Sequence, residues 1–193
     1  MNKTRRDLVT AAGGGVAALA TLGLARPATG QTDGTGNIDT ELMGALRDCV
    51  DKMAIKELFG RYALAIDTGD GEGWAAVFTE DGQYELFGNT TKGRAAIRDA
   101  ISGRPGDDRP HSQHRMANHV IEVDGDTAHS ICEFCVIAER DGAIDTIVAG
   151  FYEDDLAKVD GQWLIARRQI QVRTDPAILS AAADRGEANV FAG

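Results

Sequence analysis

Between residues 39 and 67 apolar side chains recur every three or four positions, and beyond residue 110 they recur every two. That change of period restricts the fold more than any other feature of the chain. Leu42, Leu46, Val50, Ile55, Leu58, Phe59, Tyr62 and Ile66 mark one long helix. A short helix over 72–78, a turn over 79–82, a strand over 83–87 and a third helix over 93–101 are expected next, then a loop over 102–110 rich in Gly, Pro and Asp. Four strand-like runs follow, at 111–123, 127–139, 143–158 and 162–173. They are joined by Asp124-Gly125-Asp126, Asp141-Gly142 and Asp160-Gly161, which are hairpin signals. Helices first and an antiparallel meander afterwards define an α+β domain. A long curved antiparallel sheet wrapped around three N-terminal helices makes a cone-shaped barrel with a cavity between them.

The first thirty residues do not share this pattern. Thr4-Arg5-Arg6-Asp7-Leu8-Val9 is a polar residue, paired arginines, a variable position and then apolar residues, which resembles a twin-arginine export signal. The run that follows, over 9–25, is weakly apolar and diluted by Gly13, Gly14, Gly15 and Gly23. It falls short of the roughly 20 strongly apolar residues that a spanning helix needs. Residues 1–31 therefore read as a leader, 32–38 as a linker, 39–176 as the folded domain and 177–193 as a tail or lid. The expected location is periplasmic or secreted.

Charge narrows the possible partners. The chain carries a net −10, while its first thirty residues hold Lys3, Arg5, Arg6 and Arg26 against Asp7 alone, so the remainder is more acidic still. No basic stripe is present to displace counterions from nucleic acid, and the mature domain should avoid anionic membrane surfaces. Of the three cysteines, Cys132 and Cys135 stand three apart in a strand-like run and so point to opposite faces. With Cys49 they read as small packing residues rather than as a redox pair or zinc ligands.

Several residues stand out chemically. Asp67 ends an apolar helix at the negative end of its macrodipole, where a carboxylate is either solvated or paired. Three of the four histidines lie in 111–119. Strict alternation puts His114 with Met116, Asn118 and Val120, and turns His111 and His119 to the other face, so no metal trio forms. Arg168 alternates with Leu164, Ala166, Ile170 and Val172, whereas Arg167 falls with Trp163 and Ile165; a bulge would exchange the two. Buried guanidinium needs an anion or a ligand acceptor. Tyr62 and Tyr84 bring phenols into apolar surroundings, where the hydroxyl usually finds a partner.

The segments 58–67 (Leu-Phe-Gly-Arg-Tyr-Ala-Leu-Ala-Ile-Asp), 73–82 (Gly-Trp-Ala-Ala-Val-Phe-Thr-Glu-Asp-Gly), 93–97, 114–128 and 160–168 resemble the SnoaL-like domain of the nuclear-transport-factor-2-like superfamily. The resemblance covers about residues 40–176. It implies the cone-shaped α+β fold and an affinity with scytalone dehydratase, bile-acid 7α-dehydratase and hexachlorocyclohexane dehydrochlorinase. In that branch a helix-end Asp orients a strand His, which corresponds to Asp67 and His114, with Tyr62, Arg168 and, at a less fitting spacing, Tyr84 as further catalytic candidates. Trp74, Phe78, Phe87, Asn118 and Phe134 are expected to line the substrate site. The implied activity is a cofactor-independent lyase, a dehydratase acting on a small cyclic hydrophobic molecule of steroid, polyketide or terpenoid type, with no metal. The alternatives are a double-bond isomerase using the same pocket and a non-catalytic periplasmic binding or accessory protein. Ile131 and Ile137 lie opposite Phe134 and Val136, so both faces of that strand are partly apolar, and a homodimer or homotrimer through the outer sheet face is expected.

Overall fold

The computed structural model describes residues 35–102, 112–140 and 142–175. The expected leader, most of the loop over 102–110 and the tail over 177–193 lie outside them. Helix α1 (Thr35–Thr68) precedes the short α2 (Gly71–Ala76), strand β1 (Phe78–Leu86), strand β2 (Asn89–Lys92) and helix α3 (Arg94–Ser102). The long strands are β3 (Ser112–Asp124), β4 (Thr127–Arg140), β5 (Ala143–Val159) and β6 (Gln162–Val172). The compact unit that holds the sheet begins at Asp39, while α1 itself starts at Thr35, inside the stretch read as linker.

The six strands form one open curved sheet in the order β2-β1-β6-β5-β4-β3. The meander from β3 to β6 is antiparallel as expected, whereas β1 lies parallel to β6. Residues 79–82, expected as a turn, belong to β1. They are nonetheless irregular: Phe78 pairs with Ile165 and Gln83 with Arg167, so five steps on β1 match two on β6. Gly82 lies in this irregular stretch, where a Cβ would stand 2.9 Å from that of Phe78. Strand β2 was not anticipated; its hairpin turn uses Phe87 and Gly88, both with positive φ.

The inner face of the sheet packs on the C-terminal half of α1. Ile55, Leu58, Phe59, Tyr62, Ala65 and Ile66 are buried against Phe134, Val136, Tyr152, Trp163 and Ile165. Leu42, Leu46 and Val50 share the helical period but not the core, for every residue from Ile38 to Val50 is exposed. Asp51 ties the start of the buried half to the β5–β6 hairpin, accepting from Lys158 Nζ at 2.6 Å and Trp163 Nε1 at 2.9 Å. The helix stops because Gly69 turns left-handed with φ 71°. Its N–H reaches Ile66 O and that of Asp70 reaches Ala65 O, which closes the last turn. Asp70 then caps α2 through Gly73 N at 2.9 Å.

Three further register slips decide which side chains point inward. On β3 the pairing jumps between Ala117 and Val120, with Asn118 at φ 53°. On β5 Ile147 is the extra residue, and on β6 it is Ala166. Each inserted residue reverses the alternation beyond it. Hence Ile147 and Val148 are both buried, and Trp163, Ile165 and Arg168 all face inward.

Candidate active site

Asp67 is held in the last turn of α1 and His114 near the start of β3. His114 pairs with Val136, which is fully buried, so its ring lies on the inner face of the sheet. His114 Nδ1 is 2.6 Å from Asp67 Oδ1. The backbone N–H of His114 also donates to the carboxylate, at 3.1 Å to Oδ1 and 3.0 Å to Oδ2. A carboxylate can only accept, so Nδ1 carries the proton and the lone pair resides on Nε2. Nε2 makes no hydrogen bond among the described residues. The side chains are 5% and 16% exposed for His114 and Asp67. The helix-end carboxylate is thus paired rather than solvated, and the imidazole is fixed in the tautomer that offers a base.

Farther along the interior lies a second polar group. Arg168 and Asp154 are both completely buried and form a two-pronged pair, Nε to Oδ1 at 2.7 Å and Nη2 to Oδ2 at 2.8 Å. The guanidinium carbon stands 4.1 Å from the centre of the Tyr62 ring, 4.2 Å from that of Tyr152 and 5.1 Å from that of Phe59. Burial disfavours its charge, but Asp154 more than compensates and carries the Arg168 pKa above its ordinary value. Burial raises the Tyr62 hydroxyl against the pull of Arg168, and it raises Tyr152 further. Among the described residues, Tyr62 Oη, Trp74 Nε1 and Arg168 Nη1 are buried donors without a hydrogen-bond partner. The bulge at Ala166 settles the alternative on β6: Arg168 points in, and Arg167 points out to Glu85 at 2.8 Å.

The expected lining residues divide. Trp74, Phe78 and Phe134 are buried. Trp74 meets Tyr62, Phe78 and Tyr84 edge-on or tilted, with ring centres 6.0, 6.0 and 5.1 Å apart. Phe134 stacks on Tyr152 at 4.3 Å. Tyr84 is half-buried on β1 beside Trp74 and Phe78. Phe87 does not line the interior: it sits in the β1–β2 turn and is 55% exposed. Asn118 likewise points away, because the bulge it creates turns its amide outward to the Glu133 carboxylate on β4.

The same bulge brings in a residue that strict alternation had turned outward. His119 stacks on Phe59 with ring centres 5.6 Å apart, and its buried Nδ1 has no hydrogen-bond partner among the described residues. Burial first, then the Lys56 and Arg168 charges, hold its pKa below the ordinary value. Asp154 and Tyr152 were also missed. They share the inward parity of Leu156 on β5, so the run from 151 to 156 contained the signal. Cys132 faces inward opposite Tyr152, and burial pushes its thiol up to about 12; Cys135 lies on the other face. Outside this interior, a groove of about 370 Å³ runs between α1, α2 and the start of β6, lined in part by Leu58, Leu64, Val77 and Leu164. It contains neither Asp67 nor His114. Among the described residues, no cluster of three His, Cys, Asp or Glu side chains is placed to hold a metal ion.

Comparison with known proteins agrees with this architecture. The profile of the SnoaL-like domain matches residues 47–169. An uncharacterized protein of Mycobacterium tuberculosis, Rv2910c, is 28% identical over 130 residues, covering 65% of this chain and 88% of its own. Among solved structures, a variant of a Mycobacterium tuberculosis protein of unknown function, Rv3472, superposes with a TM-score of 0.65 at 33% identity, covering 76% of this chain and 86% of its own. An NTF2-like protein with a cystatin-like fold from Novosphingobium aromaticivorans gives 0.65 at 27% identity, covering 78% and 97%. A proposed scytalone dehydratase from the same organism gives 0.58 at 25% identity, covering 66% and 87%. With the profile spanning most of the sheet and the buried half of α1, the chain belongs to the SnoaL-like domain family of the NTF2-like fold.

Proposed function

We propose that this protein is a cofactor-independent lyase that removes water from a small cyclic hydrophobic substrate of steroid, polyketide or terpenoid type, with Asp67 and His114 as its catalytic pair. The observation that carries the reading is the 2.6 Å bond between His114 Nδ1 and Asp67 Oδ1, which leaves Nε2 as an unengaged base on the inner face. His114 Nε2 accepts the proton from the carbon next to a carbonyl, and the C–H electrons move into an enolate. Collapse of the enolate forms the carbon–carbon double bond and breaks the bond to the leaving hydroxyl. The imidazolium returns its proton to that oxygen, so the net change is loss of one water. Asp67 stabilises the transient imidazolium and holds its ring.

Tyr84, half-buried, supplies a hydrogen bond to the enolate oxygen, in surroundings dry enough for such a donor to count. Trp74, Phe78 and Phe134 form the apolar wall. Arg168 is enclosed by Asp154 and three rings, so its part is to position Tyr62 and the inner wall rather than to touch substrate. The likeness to a proposed scytalone dehydratase supports the reaction class.

The test is a panel of hydroxylated steroids and cyclic ketols, analysed by mass after incubation with the wild-type protein and with His114→Ala. Loss of one water that depends on His114 is the expected result. A product of unchanged mass would show an isomerase instead, and binding without turnover would show a ligand carrier.

Export completes the proposal: residues 1–31 direct the folded domain through the twin-arginine route. Arg5→Lys with Arg6→Lys should retain the precursor in the cytoplasm, and unchanged export would refute it.

A further inference from the structure

Among the described residues, the buried side-chain polar atoms left without a hydrogen-bond partner are Tyr62 Oη, Trp74 Nε1, His119 Nδ1 and Arg168 Nη1. All four belong to one aromatic cluster, in which Trp74 meets Tyr62, Arg168 lies over Tyr62 and Phe59, and His119 stacks on Phe59. Folded proteins pair nearly all such groups, so unpaired ones gathered in one place call for an occupant. Three of them surround a single phenol. The Arg168 guanidinium carbon is 4.1 Å from the centre of the Tyr62 ring, and the Trp74 and Tyr62 ring centres are 6.0 Å apart. Tyr62 and Arg168 are completely buried and Trp74 nearly so, which keeps bulk water from serving as their partner.

Their chemistry selects what fits. An indole N–H and a guanidinium N–H can only donate. Burial raises the Tyr62 pKa, and the Arg168 and Trp74 donors beside the phenol oxygen oppose that rise only in part. The hydroxyl thus keeps its proton and donates as well, so the atom that satisfies these groups is an acceptor. It is also uncharged. Both Asp154 oxygens already engage Arg168, at 2.7 and 2.8 Å, and the pair carries no net charge. A carboxylate from outside would set a second negative charge beside Asp154 with no cation left to balance it. A ketone oxygen, with two lone pairs and no proton, matches two neutral donors.

We propose, resting on the dehydratase reading of this site, that Tyr62 Oη and Trp74 Nε1 form a second subsite that binds a distal ketone oxygen of the substrate. This oxygen is not the carbonyl next to the carbon that His114 deprotonates. Tyr62 precedes Asp67 by five residues, or about 7.5 Å along α1. A helical side chain leans toward the N-terminus, which carries the phenol farther from Asp67 and His114. The oxygen of an activating carbonyl lies only two bonds from the deprotonated carbon, too near to span that gap. The oxygen held at Tyr62 and Trp74 therefore lies about the width of two fused rings from the reacting carbon. The substrate class narrows to neutral fused polycycles with oxygen at both ends. Arg168 Nη1 stays behind Tyr62 and, being a donor itself, turns the hydroxyl proton away from the guanidinium and toward the ligand.

The probe is decalone, a bicyclic ketone, with decalin and decalin carboxylate as controls of the same skeleton. Titration calorimetry on the His114→Ala protein keeps turnover out of the measurement. Decalone should bind roughly tenfold more tightly than either control, or better. In infrared difference spectra its C=O stretching band should fall below its frequency in hexane. Tyr62→Phe and Trp74→Phe, each added to His114→Ala, should weaken decalone binding about tenfold and return the band part of the way. Without ligand, Tyr62→Phe should be no less stable to urea than its parent, since the hydroxyl it removes has no partner. A purely structural hydroxyl would show the reverse, lost stability with unchanged decalone affinity, and that result overturns the proposal. Decalone binding no tighter than decalin would overturn it too, and would assign internal water to these donors. Tighter binding of the carboxylate would refute a neutral subsite. These outcomes are independent of the dyad: failure of the steroid panel to lose water would sink the dehydratase reading and leave the decalone affinities as they are.

Discussion

Asp67 accepts from a single residue three times over: the ring of His114 at 2.6 Å and its backbone N–H at 3.1 and 3.0 Å. The carboxylate therefore fixes the strand as well as the imidazole, so α1 and β3 are joined at the point where the proposed base resides. The helix dipole disfavours a carboxylate in a last turn by roughly 0.3–1 kcal/mol. Bonds to two donors on one residue offset that cost.

This geometry separates two substitutions at Asp67. Asp67→Asn can still accept the backbone N–H, so the fold should persist while turnover falls about as far as in His114→Ala, on the order of 10²–10⁴-fold. Asp67→Ala should also lower stability, by about 1–3 kcal/mol, because a buried N–H loses its acceptor. The double variant Asp67→Asn, His114→Ala should be scarcely slower than His114→Ala alone. Additive losses in single-turnover rates would argue that the two residues do not act as one unit.

The Arg168–Asp154 pair is expected to show in stability before it shows in rate. Removing one partner leaves an uncompensated charge in a closed interior, so Arg168→Met or Asp154→Leu alone should cost roughly 3–5 kcal/mol. Replacing both together should recover most of that loss. Urea unfolding of the three variants measures it, and singles within about 1 kcal/mol of wild type would contradict the reading.

His119 should give the protein a mild acid sensitivity. Its folded pKa lies below the ordinary histidine value of 6.5, so between the two values the unfolded chain binds more protons than the folded one. Stability is then fully present above about pH 6.5 and declines as the pH falls toward the lowered folded value. His119→Phe, which keeps the stacking on Phe59, should flatten that part of the profile. Chemical unfolding at pH 7 and pH 5 decides it: an identical drop in the variant would assign the sensitivity to other groups.

The cysteines should differ sharply in reactivity. Cys49 is exposed on α1, while Cys132 is buried with its thiol pushed up to about 12. A water-soluble maleimide at pH 8 should modify Cys49 within minutes and spare Cys132 until urea is added. Rapid labelling of Cys132 in the folded protein, read by peptide mass, would show that the interior opens more readily than its packing indicates.

Local rules carried much of this structure. Hydrophobic period located α1 and the four long strands, and Asp-Gly turns located their hairpins, because both signals act over a few residues. Gly69 follows the end of α1 closely enough that Asp67 could be recognised as a helix-end carboxylate. Pairing it with His114 needed the family resemblance, since nothing in the spacing of residues 47 apart makes them neighbours. Phe87 and Asn118 were misplaced for one reason each. A two-residue turn was hidden in a polar stretch, and a bulge changed the parity of β3.

What the sequence by itself determined was the set of elements and the chemistry carried on them. What tertiary structure alone decided was which side of each strand that chemistry occupies. Alternation is a count from one residue to the next, and a bulge adds one to the count. Where the extra residue goes depends on register with the neighbouring strand and on how far the sheet must bend around α1. Ala166 and Asn118 absorb that curvature. As a result Arg168 joins Trp163 and Ile165 inside, His119 turns inward behind His114, and Asn118 leaves the site.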